Sequence, residues 1–309
     1  MDHLIDLAGV RVRYDDTVAL DGVDFAVEPG EMFAVVGPDG AGKTALLRTI
    51  TGLVRPEDGA ISVFGEELFR NRRAIRRRVG YLSQGFSLYR DLTIDENIAF
   101  FARIHGVRDH RSRADELLGF TRLAPFRTRL AGRLSGGMKK KLALACALIH
   151  KPELLLLDEP TTGVDPVSRR DFWLLLGDLR AGGLTIVVAT PYLDEAERCS
   201  RVGLIQQGRF LTTGTPETIR SSLVGTIFEA ICADPREAQR QLRIAAEQTG
   251  SSAPEIQTYG DRIHVKYPHA ASRFQLDDLL RSAGVVASGI RAVEPSLEDV
   301  YVSLVEKNR

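Results

Sequence analysis

Gly37-Pro38-Asp39-Gly40-Ala41-Gly42-Lys43-Thr44 spells G-x-x-x-x-G-K-[ST]. The run before it, Met32-Phe33-Ala34-Val35-Val36, reads as a buried strand. The run after it, Ala45-Leu46-Leu47-Arg48-Thr49-Ile50, reads as a helix. Glycines let such a loop curl so that backbone N–H groups converge on phosphate oxygens, and the new helix adds its positive end. Lys43 is then placed to reach the outer phosphates, and the Thr44 hydroxyl to ligate Mg²⁺. A glycine-rich turn with a solvated lysine is the plain alternative. The strand before and the helix after favour a nucleoside triphosphate site.

Composition frames that reading. The chain has 309 residues, enough for about two domains. Its 44% hydrophobic and 27% charged residues suit a packed core rather than disorder. Lys+Arg and Asp+Glu both number 41, so no net basic charge recommends nucleic acid as the main partner. Cys146, Cys199 and Cys232 are widely spaced, which argues against a disulfide framework or zinc site and for a reducing compartment. Met1-Asp2-His3-Leu4-Ile5-Asp6 has neither the basic start nor the apolar stretch of a secretory signal. No apolar run approaches the roughly 20 residues of a membrane span, so spans would have to come from another chain.

Two further stretches carry chemistry. Leu154 to Leu157 run directly into Asp158-Glu159-Pro160. An apolar strand ending in two carboxylates is the Walker B pattern, with Asp158 beside Mg²⁺ and Glu159 able to deprotonate an attacking water. Alone, it equally describes a turn with acidic caps. Leu134-Ser135-Gly136-Gly137-Met138 precedes a stretch of helical Leu/Ala spacing. A Ser-Gly-Gly opening at a helix start is an anion-binding design or an ordinary N-cap.

Taken together, the phosphate loop, Gln84, Leu-Ser-Gly-Gly, Leu-Leu-Leu-Leu-Asp-Glu-Pro and Thr162-Gly163-Val164-Asp165-Pro166 resemble the ATP-binding subunit of an ABC (ATP-binding cassette) transporter. The resemblance covers residues 4 to about 220. Glu294-Pro295-Ser296-Leu297-Glu298-Asp299-Val300-Tyr301 is similar to the C-terminal segment of ABC-2 exporter ATPases, and Pro38-Asp39 inside the loop looks like the drug-efflux branch. The resemblance implies an α/β P-loop NTPase cassette, with a RecA-like core sheet, an antiparallel β subdomain and an inserted helical subdomain. ATP and Mg²⁺ would be its cofactors. Residues 37–44 would bind phosphate, Tyr14 would stack on adenine, and Gln84 would meet Mg²⁺ or water. Thr44 and Asp158 would hold the metal, and Glu159, Gln84 and Lys43 would carry hydrolysis. Ser135, Gly136, Gly137 and Asp165 would close over the ATP of a second ATPase subunit, making dimerisation ATP-dependent. A membrane-spanning ABC-2 permease would be the other partner, gripped through Phe86, Leu88 and Tyr89 unless these are local core. The location would be cytoplasmic, on the inner face of the membrane. Weak hydrolysis and a non-transport ABC ATPase are the alternatives.

Two positions depart from the family pattern. Met138 replaces a common glutamine, with a small expected effect. Pro191, in Thr190-Pro191-Tyr192-Leu193-Asp194-Glu195-Ala196, aligns with the switch histidine. Proline offers no donor, so slow hydrolysis with intact ATP binding is expected. The arginine run 70–78 reads as a solvated helix face in preference to a lipid contact.

The ATPase domain is expected over 4–225, with its helical subdomain at about 93–150, and a small α+β domain over 226–309. Strands are expected at 4–13, 22–28, 32–36, 79–83, 153–157, 185–189 and 202–206, with a hairpin turn at Gln207-Gly208-Arg209. In the tail, strands are expected near 226–233, 263–267 and 285–293, and helices near 235–248, 272–282 and from Ser296.

Overall fold

The computed structural model describes residues 3–85, 88–223, 225–247 and 254–307. Phe86, expected above to face a permease, lies outside them. The elements in chain order are β1 (Ile5–Tyr14), β2 (Thr17–Val27), β3 (Met32–Val36), α1 (Lys43–Ile50), β4 (Asp58–Val63), β5 (Glu66–Glu67), α2 (Leu68–Arg77), β6 (Val79–Leu82), α3 (Ile94–Ile104), α4 (Arg111–Phe120), α5 (Gly136–Leu148), β7 (Leu154–Asp158), α6 (Pro166–Ala181), β8 (Thr185–Thr190), α7 (Leu193–Ala196), β9 (Arg201–Gln206) and β10 (Arg209–Gly214). They continue with α8 (Pro216–Ser221), β11 (Thr226–Cys232), α9 (Pro235–Glu247), β12 (Glu255–Tyr259), β13 (Arg262–Tyr267), α10 (Arg273–Ser282), β14 (Ala287–Val293) and α11 (Leu297–Lys307). The chain divides into two compact units, Met1–Pro216 and Glu217–Arg309. The change comes before the boundary expected at 225/226, because nearly all of α8 belongs to the second unit.

In the first unit, β10-β9-β3-β8-β7-β6 form one sheet, parallel except for the β9/β10 hairpin. Strands β3, β7 and β8 are buried along their whole length, the mark of a sheet covered on both faces. Phe33, Val35, Leu156 and Val187 pack with Leu46, Leu47 and Ile50 of α1 in one core. A second, antiparallel sheet, β2-β1-β4-β5, joins that core through alternating residues such as Ile5, Leu7, Val23 and Phe25. Strands β4 and β5 carry no expectation from sequence. Their burial is partial, and Asp58-Gly59-Ala60 reads locally as a turn. Helices α3, α4 and α5 occupy the region expected to be helical. Thr93 and Glu96 cap α3 reciprocally.

After α8, the second unit runs β11-α9-β12-β13-α10-β14-α11, with sheet order β12-β13-β11-β14 and antiparallel pairing throughout. This is the βαββαβ arrangement of ferredoxin-like domains with an added helix. Phe228, Ala230, Ile263 and Val265 face Leu242, Leu276 and Leu280 in its core. The alternate residues His264 and Lys266 point the other way. There they meet Asp299 and Ser303 of α11 at 3.2 and 2.7 Å.

Candidate functional site

The phosphate-loop stretch bridges the carboxyl end of β3 and the start of α1. Register places Val36 opposite Thr190 and Ala189 opposite Asp158, so three strands end at one level. Ligands bind at that edge of open α/β sheets. Gly42, at φ +107, caps α1, and a Cβ there would lie 2.5 Å from the Ala19 carbonyl, so only glycine fits. Behind it Lys43 is buried, its Nζ donating to the carbonyls of Gly37 at 2.8 Å and Pro38 at 3.0 Å. It also stands 3.6 Å from Oε1 of Glu159, reached across the sheet.

The acidic pair is held as tightly. Asp158 ends β7 and accepts from Thr44 Oγ1 at 3.1 Å and Tyr81 OH at 3.4 Å. Burial pushes its carboxyl above the usual range, Glu159 adds to this, and the two hydroxyls oppose it. Burial, then the Asp158 charge, raises the Tyr81 phenol to about 12, so it remains a donor at neutral pH. Glu159 adopts φ +48, an uncommon conformation for a non-glycine residue. Its Oε2 accepts from Gln84 Nε2 at 2.9 Å and Thr162 Oγ1 at 3.3 Å. A cleft of about 370 Å³ is lined by Asp39, Gly40, Gly42, Lys43, Thr44, Gln84 and Glu159, among others. Residues scattered from 39 to 159 therefore meet in one place. The Thr44 hydroxyl and Asp158 carboxylate are hard oxygen donors within bonding distance of each other, a donor set that fits Mg²⁺.

Not every candidate joins that cleft. Tyr14 ends β1, is 40% exposed and is not among the lining residues. Ser135 caps α5, its hydroxyl accepting from Met138 N at 3.3 Å, and with Gly136 it is exposed. Asp165 caps α6 and accepts from Ser168 N at 2.9 Å. These two helix starts touch. A Cβ on Gly137 would lie 2.3 Å from Ser168 Oγ, and one on Gly136 would come 3.6 Å from the Gly163 carbonyl. Gly137 is thus a packing glycine as well as part of the motif. Leu88 lines a neighbouring cleft, and Tyr89 rests its ring on Phe100, centroids 4.4 Å apart. The exposed arginines at 70, 72, 73, 76 and 77 lie on or beside α2, with Leu68 and Ile75 turned inward, as a solvated face would be.

One network had no signal in the sequence. Glu195 is fully buried and accepts from Thr161 Oγ1, from Thr190 Oγ1 at 2.6 Å and from Arg169 Nε at 2.7 Å. Thr190, the hydroxyl nearest to Pro191 in sequence, is committed to that carboxylate.

The ABC transporter family model matches residues 20–162. Nod factor export ATP-binding protein I of Burkholderia pseudomallei (strain K96243) is 38% identical over 97% of this chain and 96% of its own. The chain belongs to the ABC transporter ATP-binding family. The probable multidrug ABC transporter ATP-binding protein YbhF of Escherichia coli (strain K12) is also 38% identical, over 98% of this chain. The chain spans about half of that relative, 52% of its length. Among solved structures, the ATP-binding cassette MJ0796, described as dimeric, post-hydrolysis and bound to ADP and Pi, superposes with TM-score 0.62 at 26% identity. That match covers 68% of this chain and 98% of the cassette. As a member of that family, this ABC cassette is an ATP-binding protein. Among the described residues, no helix is long and apolar enough to cross a membrane.

Proposed function

We propose that the chain is the ATP-binding and hydrolysing subunit of an ABC-2-type exporter. It would couple ATP-driven dimerisation to efflux through a separate membrane permease, working on the cytoplasmic face of the membrane. The observation that carries this reading is the meeting of Lys43, Thr44, Gln84 and Glu159 in one cleft, with the buried Asp158 hydrogen-bonded to Thr44 at its edge. The loop amides and Lys43 would bind the phosphates, and Tyr14 the adenine. Thr44, Asp158 and Gln84 would hold Mg²⁺, which when bound would offset phosphate charge. Glu159, gripped by Gln84 and Thr162, would take the proton from the attacking water. The exposed Ser135, Gly136 and Asp165, with Gly137 behind them, would meet the ATP of a second ATPase subunit, which the dimeric relative supports. The names of the exporting relatives support the transport role.

A second reading, ATP binding with weak turnover, is favoured by Pro191 and by Thr190, whose hydroxyl is committed to Glu195. Equilibrium binding of a fluorescent ATP analogue with Mg²⁺ tests the core claim. Lys43→Ala should weaken binding at least tenfold, whereas Glu159→Gln should keep binding and lose turnover. Equal binding by wild type and Lys43→Ala would overturn the site. Co-expression with candidate permeases tests the transport role, which requires a stable complex.

A further inference from the structure

Three consecutive lysines, 139–141, follow the Gly-Gly-Met start of α5, and their surroundings differ. Lys141 pairs with Asp171 at 2.9 Å. Lys139 lines the edge of a cleft of about 420 Å³ that Gln84, Lys140, Thr162 and Gly163 also line. Lys140 places its Nζ 3.5 Å from the backbone carbonyl of Glu159. Burial lowers its pKa below the usual lysine value, while the Glu159 and Asp158 charges resist. Among the described residues it has no ion-pair partner within 4 Å. A part-buried lysine whose one hydrogen bond goes to a backbone carbonyl calls for an explanation.

The peptide it reaches is unusual. Glu159 sits in the left-handed region, where a non-glycine residue persists only if its surroundings hold it. Its N–H is tied to β8 through the Ala189 carbonyl at 2.9 Å. Its own carbonyl accepts from Thr162 N at 3.4 Å and from Lys140. Of these, Lys140 alone comes from α5, the helix that Ser135 caps.

We infer that Lys140 is a positioning residue for ATP hydrolysis: from α5 it holds the Glu159 peptide in its left-handed conformation and so aims the carboxylate. This rests on the assignment of Glu159 as the base. The test is steady-state ATP turnover with Mg²⁺ by the full chain, for Lys140→Met, Lys140→Arg and Glu159→Gln. Lys140→Met should lower kcat about tenfold, the scale of one lost charge-assisted hydrogen bond, with KM for ATP unchanged. Lys140→Arg, which keeps the cation, should recover most of the rate. Unchanged kcat in Lys140→Met, or equal rises in KM, would overturn the inference, as would equal loss in Met and Arg variants that melt at the wild-type temperature. If Lys140→Met does not fold, the arginine variant decides: near-wild-type kcat supports the inference and a tenfold loss overturns it. Undiminished turnover in Glu159→Gln would instead sink the base assignment.

Discussion

Pro191 follows directly on β8, beside a hydroxyl that the fold has already engaged. Thr190 donates to Glu195 at 2.6 Å and accepts from Tyr192 N at 3.1 Å, so it has no proton left for a phosphate or a water. A preorganised donor contributes on the order of 10²–10³ in rate. Pro191→His should therefore raise ATP turnover by about tenfold or more, with ATP affinity unchanged. A rate equal to or below wild type would show that the missing donor is not what limits hydrolysis. The phosphate loop and the acidic pair were legible because each is a short motif whose spacing is its chemistry, whereas Gln84 came only through the family resemblance and Ala19, which also lines the cleft, carried no signal. Glu195 was not, because its donors Arg169 and Thr161 lie 26 and 34 positions away in sequence. Lys140 was hidden for the same reason: three lysines in a row look alike until their partners, Asp171 for Lys141 and the Glu159 carbonyl for Lys140, separate them.

Helices α3 and α5 end side by side, and two histidines meet there. The His105 and His150 rings lie parallel, centroids 3.8 Å apart, and His150 Nε2 lies 3.1 Å from the Val79 carbonyl at the start of β6. Burial, with His105 adding, depresses His150 to about 4, and burial lowers His105 as well. Both shifts favour the neutral ring in the folded chain. The unfolded chain takes up these protons below about pH 6.5, so stability is fully present above that pH and is lost as pH falls toward 4. Thermal melts at pH 7.5 and 5 should show a smaller drop for His150→Asn than for wild type. An equal drop would place the acid sensitivity elsewhere. The parallel strands were readable from their unbroken apolar runs, which a sheet covered on both faces requires. Strand β2 runs further back than expected, starting at Thr17, because pairing with β1 extends it through a polar stretch. Strand β12, unremarked in the sequence, exists because β13 supplies its partner.

At the scale of the molecule, every residue of the proposed nucleotide site lies in the first unit, which has a core of its own. The second unit has a separate core of its own. A chain truncated after Leu223 should therefore bind ATP within a few-fold of the full chain. Loss of binding in a truncated chain that still melts cooperatively would give the second unit a part in the site. From the sequence alone came the phosphate loop, the acidic strand end, the serine-glycine helix start and the family these resemble, because each is a local pattern whose backbone conformation its own residues dictate. Only the tertiary structure decided which side chains share a proton or a charge. Lys43 meets Glu159, Thr44 meets Asp158 and Thr190 meets Glu195 through the packing of strands and helices distant in the chain, and short-range hydrogen bonding depends on that packing to a fraction of an ångström.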